Sequence, residues 1–358
     1  MIRLTRRQAL AGAGATVAAA WLPRRSARAA DPLKVAVYGG YFKDSFDEHI
    51  FPLFTKETGI EIEGVPEPTS EAWAVQLEQA ARAGETPADV SMIAQTIMLR
   101  GQPNKLWLPL DPAKLPNMKN LEEHHVHKYP DGSIDGLNAV TWYITIVTNT
   151  EVIPEAPTSW ADFWDPKHKD QLGLLSLASN SFLLEITATT FFGGKEKLAT
   201  NDGVLEVMNK LAEVKPNVRL WYRDEGQFQQ ALETGEIPMG QYYHDVTGLA
   251  ASEGKSVRST FPKEGGVLDS GAWTIAPVSK KIEEAYAFID FMCRPDVQDV
   301  VSRKLGTAPT VKRQLLTLTN EEFAGVSSEI PPIIPEYSLY TGERQDFVTQ
   351  NWTEIVTG

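Results

Sequence analysis

From Lys34 onward the sequence switches repeatedly between short β-branched, apolar runs and stretches whose apolar residues recur every three or four positions. That alternation is what a mainly parallel sheet demands, because each parallel strand pair needs a crossover, usually a helix. The fold class it predicts is α/β. Lys34–Tyr38 reads as a strand broken by Gly39 and Gly40. Asp44 or Ser45 then caps a helix carrying Phe46, Ile50, Phe51 and Phe54 and ending at Gly59. Ile60–Ile62, Val90–Ile93, Leu172–Leu177, Val218–Tyr222, Ile237–Tyr243 and Ser259–Phe261 read as further strands. Ser70–Arg82, Phe182–Phe192, Gly203–Val214, the stretch from the N-cap Asp224 to Gly235, and Ile282–Leu305 read as helices, and Thr158–Asp162 as a capped helix start.

One run stands apart. Asn138–Thr148 is rich in β-branched residues, without Gly or Pro, and long enough to pass between two lobes; Trp273–Ala276 is the expected return. With 358 residues and 42% hydrophobic content, two domains are favoured over one. The predicted division is 1–29 as leader, 31–142 with 271–319 as one lobe, and 143–270 with 320–358 as the other. Two open, mainly parallel sheets, joined by crossover strands, would then face each other. Open α/β sheets bind at the C-terminal ends of their strands, beside helix N-termini, so facing lobes make a cleft.

The leader reads as an export address. Arg3, Arg6 and Arg7 precede an apolar stretch from Ala9 to Leu22, and Ala27-Arg28-Ala29 offers small residues for cleavage near Ala29/Ala30. That stretch is about 14 residues, short of the roughly 20 a membrane-spanning helix needs. Thr5–Leu10 resembles a twin-arginine signal, with Ala9 where Phe is usual; this route or the general secretory route leads to the periplasm. Residues 1–29 carry six arginines and no acid, so their removal takes the formal charge from −13 to −19. Such a body argues against nucleic acid and anionic membranes as partners. The single cysteine, Cys293, excludes an intrachain disulfide and reads as a buried structural thiol.

Several blocks in order resemble the spermidine/putrescine-type periplasmic binding proteins: Phe54–Ile60, Thr158–Pro166, Gly235–Gly240, Phe261–Gly266, Ala285–Gln298 and Leu305–Thr310. The resemblance covers nearly the whole chain after the leader. It implies a type II periplasmic-binding fold and the role of solute receptor for an ABC importer, with an inner-membrane permease as partner. It also implies a monomer, with no cofactor, no metal and no catalysis.

The cleft positions depart from the polyamine pattern. Where polyamine binders place carboxylates after the Leu174–Leu177 strand, this chain has Ser179, Asn180 and Ser181. Their Trp and Asp after the Pro-Lys-Glu-Gly-Gly block align with Asp269 and Gly271, and a further Trp with Tyr243. Serines and Asn180 at a helix start favour an anion, and Arg223, at the end of a strand, can take a carboxylate bidentately unless Asp224 or Glu225 already pairs with it. Asp245 and Asp269 could receive an amine. The expectation is a zwitterion such as 4-aminobutyrate or a betaine, boxed by Tyr41, Phe42, Trp142, Trp221 and Tyr243, with Gln95 following the Val90–Ile93 strand. Trp107, Trp160 and Trp164 are assigned to packing or surface.

The alternatives are polyamine binding, then ferric-ion binding through Tyr242 and Tyr243 beside His244 and Asp245. Strand alternation sends the two tyrosines to opposite faces, which counts against iron. His124, His125 and His127 lack helical zinc spacing and read as a solvated loop. An exported hydrolase is the remote alternative: the chain has no G-x-S-x-G, H-E-x-x-H or phosphate-binding loop.

Overall fold

The computed structural model describes residues 31–68 and 70–357; the leader and its cleavage site lie outside the described residues. Strand β1 (Leu33–Tyr38) ends at Gly39 and Gly40, and Gly40 takes φ 65 as it turns into helix α1 (Tyr41–Ser45). The helix thus begins before Asp44 and Ser45, and neither caps it. A wide π turn follows over Phe46–Ile50, then α2 (Phe51–Thr58), closed by Gly59 at φ 74 as its sequence predicts.

β2 (Ile62–Glu67), α3 (Ser70–Arg82), β3 (Val90–Ala94) and α4 (Gln95–Gly101) complete the first half, followed by the short β4 (Val126–Lys128) and the long β5 (Ile134–Asn149). The second half runs β6 (Leu172–Leu175), α5 (Ala178–Ser181), α6 (Leu183–Phe192), α7 (Asn201–Ala212), β7 (Val218–Tyr222), α8 (Glu225–Glu233), β8 (Met239–Tyr243), α9 (His244–Ser252) and β9 (Val257–Thr260). The chain returns through β10 (Val267–Ile275) to α10 (Ile282–Met292) and α11 (Pro295–Leu305), then ends with α12 (Asn320–Ala324) and α13 (Gly342–Trp352). The single helix expected over Ile282–Leu305 is two, because Pro295 denies Arg294 the helical conformation and starts a new helix at its own N1 position. The return strand begins at Val267, six residues earlier than its sequence suggests.

The sheet order is β2-β1-β3-β10-β5-β8-β6-β7. β1 pairs in parallel with β2 and β3, and β6 with β7 and β8. The antiparallel pair β5 and β10 joins these two groups, so the two expected sheets meet in one hydrogen-bonded path.

The two largest apolar cores share no residue. One draws on residues 33–140 and 273–311, the other on 144–267 and 333–356. β5 therefore changes core between Val140 and Ile144, and β10 between Val267 and Trp273. In the first core Phe54 meets Phe288 and Phe291 edge-on, both at 5.4 Å, and such pairs add about 0.5–1.5 kcal/mol each to simple burial. Cys293 is buried there. Trp160 and Trp164 donate their indole N–H groups to Gly265 and Lys210 carbonyls and Trp107 to that of Met98, all as packing residues.

Residues 122–128 are not the solvated loop their polarity suggests. Glu123–His125 forms one 3-10 turn, β4 pairs with β5, and His125 is buried with its Nδ1 2.7 Å from Asn138 Nδ2. An amide partner on β5 makes that burial tolerable.

Candidate functional site

Strand ends converge on one cavity of about 250 Å³. Tyr38 closes β1, Phe42 lies in α1, Trp142 projects from β5, and Tyr243 closes β8. Glu225 opens α8 after β7, and Asp245 lies in the first turn of α9 after β8. These six residues, with Val246, line the cavity, and no basic residue is among them. A larger cavity of about 550 Å³ lies along residues 152–171, but it has no comparable set of aromatic faces.

The aromatic walls brace one another. Tyr38 sits edge-on to Phe42 at 5.9 Å and to Trp142 at 6.3 Å. Gly271 makes room for Tyr38: a Cβ there would lie 2.9 Å from the phenol oxygen and 2.8 Å from Met92 Cγ. A side chain at this position would force Met92 or Tyr38 to shift.

The acids differ in how they are satisfied. Tyr243 donates its hydroxyl to Glu225 Oε1 at 2.8 Å. Asp269 Oδ1 accepts from Tyr337 Oη at 2.7 Å and from the Ser270 N–H at 2.8 Å, and the carboxyl also takes the Trp142 side chain. Burial nevertheless pushes the Asp269 carboxyl up to about 6. Asp245 is less well satisfied: its Oδ1 is buried without a hydrogen-bond partner among the described residues, and burial pushes this carboxyl too up to about 6, although the Val246 and its own backbone N–H groups lower it. Glu67, at the end of β2, is buried with Oε2 likewise unpartnered, and burial pushes it well above the usual carboxylate range. A buried acid lacking donors costs free energy until a cation or a proton arrives.

Of the residues singled out from sequence, Phe42, Trp142, Tyr243 and Asp245 line this cavity together. Tyr41 stands in the first turn of α1. Asp269 pairs with Trp142 across the β5–β10 ladder and is not among the cavity's lining residues. Trp221 packs edge-on to Trp352 at 6.4 Å, outside the cavity walls. Gln95 is buried at the start of α4 and bonds Ser270. Ser179, Asn180 and Ser181 belong to a helix of four residues, too short to carry much dipole, with Ser179 Oγ bonded to Asn180 and Ser181 Oγ to the Ala178 carbonyl. Arg223 is exposed, with Nε 3.3 Å from Ser176 Oγ and no ion pair among the described residues.

Tyr38 and Glu225 were missed in the sequence. The usable signal for both was position: each stands at or just after the C-terminal end of a strand. Tyr242 turns away from the cavity, bonding the Glu225 carbonyl at 3.3 Å, and burial raises the pKa values of both Tyr242 and Tyr243, which disfavours phenolates. Among the described residues no group of three or more His, Cys, Asp or Glu could hold a metal ion, and no helix is long and apolar enough to cross a membrane.

Residues 51–320 match the model of the bacterial extracellular solute-binding proteins. The chain belongs to that family. This solute-binding chain is 28% identical over 224 residues to the spermidine/putrescine-binding periplasmic protein of Salmonella typhimurium, a match covering 62% of this chain and 63% of that protein. The match thus spans less than two thirds of that relative's own length. It is 25% identical over 294 residues to the gamma-aminobutyric acid-binding protein of Pseudomonas aeruginosa, covering 80% of this chain and 79% of the other. Among solved structures it resembles an ABC transporter from Clostridium perfringens, with a TM-score of 0.73 at 22% identity over 90% of this chain and 99% of that one. It also resembles the spermidine/putrescine substrate-binding protein PotD of Streptococcus pneumoniae, with a TM-score of 0.70 at 20% identity over 90% and 98%. The fold is the type II periplasmic-binding fold that the sequence blocks imply.

Proposed function

We propose that the chain is the periplasmic receptor of an ABC importer and captures a small aliphatic amine carrying N–H donors, with diamines and polyamines as the preferred class. The observation that carries this reading is the buried, partnerless Asp245 Oδ1 at a cavity walled by Tyr38, Phe42, Trp142 and Tyr243. Aromatic faces attract any ammonium. An orphaned carboxylate oxygen selects one that can donate a hydrogen bond, which a quaternary betaine cannot. Glu225 adds a second carboxylate and nothing basic lines the cavity, so a dication is balanced better than a zwitterion. The names of the Salmonella and Streptococcus relatives agree with this class.

Residues 31–142 with 271–319, and 143–270 with 320–358, are taken as lobes that rock about β5 and β10. Tyr38 and Phe42 belong to one, Glu225, Tyr243 and Asp245 to the other. An amine bound between them touches both, and only such a ligand shifts the balance toward the closed form that a permease would recognise. No bond is made or broken.

A second reading, the 4-aminobutyrate zwitterion, is favoured by one observation: Arg223 lacks a carboxylate partner. The name of the Pseudomonas relative agrees with it. Calorimetry with putrescine, spermidine, 4-aminobutyrate and glycine betaine tests both. Saturable binding of the first two carries the amine reading, and heat from betaine alone or from none of the four refutes it.

A further inference from the structure

Buried polar groups that the amine cavity does not use gather on the other side of the β5–β10 ladder. Asp269 and Trp142 share one face, so Leu268 and Ser270 point to the opposite one. There a cavity of about 230 Å³ is lined by Gln95, Asn138 and Ser270, with His124, His127 and Lys128 at its polar end. Its amides are fixed in advance. Gln95 Nε2 donates to Ser270 Oγ at 3.0 Å and to Asn138 Oδ1 at 3.3 Å, while Asn138 also holds His125 and His127. Gln95, Asn138 and Ser270 are each about 95% buried.

In a chain of net charge −13, no carboxylate lines this cavity. Asp135 bonds Gln102, one of the lining residues, at 2.6 Å without being a wall itself. The Lys128 ammonium has no hydrogen bond or ion pair among the described residues. We propose that this cavity binds a small carboxylate anion, with Lys128 supplying the charge and His124 a second donor.

The titratable groups facing it are the three histidines, Lys128, Glu122 beside His124, and the Tyr337 phenol that Asp269 holds. Burial lowers all three histidines. A bound anion favours their protonated forms, so binding tightens as pH falls, the reverse of the amine cavity. Tyr337 links the two regions, since its ring is a wall here and its hydroxyl bonds the Asp269 carboxyl, which also takes the Trp142 side chain. Occupying one cavity changes the affinity of the other, reciprocally.

The carboxylate comes from a separate anion, because the β5–β10 ladder stands between the two cavities and one short ω-amino acid does not reach both. Sodium acetate, with putrescine and 4-aminobutyrate as controls, tests this when titrated into the purified protein, read by the ring signals of His124 and His127. Acetate is expected to move both histidine signals saturably, more tightly near pH 6 than near pH 7.5, and roughly fivefold more weakly in Lys128→Met. If 4-aminobutyrate moves the histidine signals and acetate does not, no separate anion is held there and the proposal fails. The proposal is overturned if acetate leaves the histidine signals unmoved, or moves them equally in Lys128→Met. The acetate arm contains no amine, so it stands whether or not putrescine binds.

Discussion

Replacing Asp245 by Asn is expected to damage binding while sparing, or even raising, stability. An ammonium about 4 Å from this carboxylate gains about 4 kcal/mol at the effective dielectric of a partly exposed site, and a hydrogen bond to an ionised group is worth about 1.5–3 kcal/mol net. Some of the Coulomb term survives through Glu225 on the same wall. A loss of about 2–4 kcal/mol remains, or roughly 30- to 1,000-fold in Kd for putrescine. Stability moves the other way. The folded-state carboxyl is pushed from 3.8 to about 6, so between those pH values the folded chain keeps a proton that the unfolded chain has released. That contribution is present below the lower value, is lost as pH rises through the window, and amounts to roughly 3 kcal/mol at most. Asn has no such loss, although its orphaned amide costs about 1–2 kcal/mol in return. Calorimetry with putrescine, and melting curves near pH 7.5 and near pH 4, check both halves. The variant should melt no lower than wild type at the higher pH and gain relative to wild type between the two. A Kd within about threefold of wild type, or a clear drop in Tm confined to the higher pH, would refute the reasoning.

Putrescine affinity of the wild type should fall as pH drops below about 6, by up to about tenfold per unit for the one linked proton, because Asp245 takes a proton near there; calorimetry in two buffers of different ionisation heat should show proton release near pH 6. Gly271→Ala should weaken putrescine binding and cost about 1–3 kcal/mol of stability, since its Cβ meets Tyr38 and Met92 below 3 Å; unchanged melting and affinity would mean that Tyr38 needs no such clearance. Arg223→Ala should leave melting and putrescine affinity within about twofold of wild type, as an exposed residue outside the cavity walls; a selective loss of 4-aminobutyrate binding would instead establish the zwitterion reading.

Features written in adjacent residues were legible in the sequence. The capping box of Ser159 and Asp162, the N-cap at Asp224 and the left-handed Gly59 all form as their residue types dictate. Pro295 was a usable signal too, yet the apolar periodicity runs straight across it. The start of β10 was hidden because Asp269, Ser270 and Gly271 have the composition of a turn; only pairing with β5 makes them strand. The site divides the same way. Aromatic residues at strand ends led to Phe42, Trp142 and Tyr243, and Asp245 came with them. Glu225 looked like an ordinary first-turn acid. Nothing local to Asp269 reveals that Tyr337, 68 positions away, satisfies its carboxylate, or that Asp245 has no counterpart.

That contrast between two carboxylates separates scaffold from site. The segment before α13 supplies phenols to two buried acids: Tyr337 to Asp269, and Tyr340 to Glu185 Oε2 at 2.8 Å. Glu185 also accepts the Glu336 N–H at 2.9 Å, and burial pushes its carboxyl up to about 7. Each phenol fixes the tail and occupies one acceptor position of its acid, and Asp269, which also takes the Ser270 N–H and the Trp142 side chain, keeps little capacity for an ammonium in the first cavity. Asp245 is given no such donor. Where those two carboxyls have a tyrosine, Asp245 at the aromatic cavity has only its own and the Val246 backbone N–H groups and keeps Oδ1 unpartnered, and on the amine reading that oxygen is the one a donor from outside would take. Stability lost at Asp245 in the empty state is then recovered on binding, and this ties ligand affinity to lobe closure without any further contact.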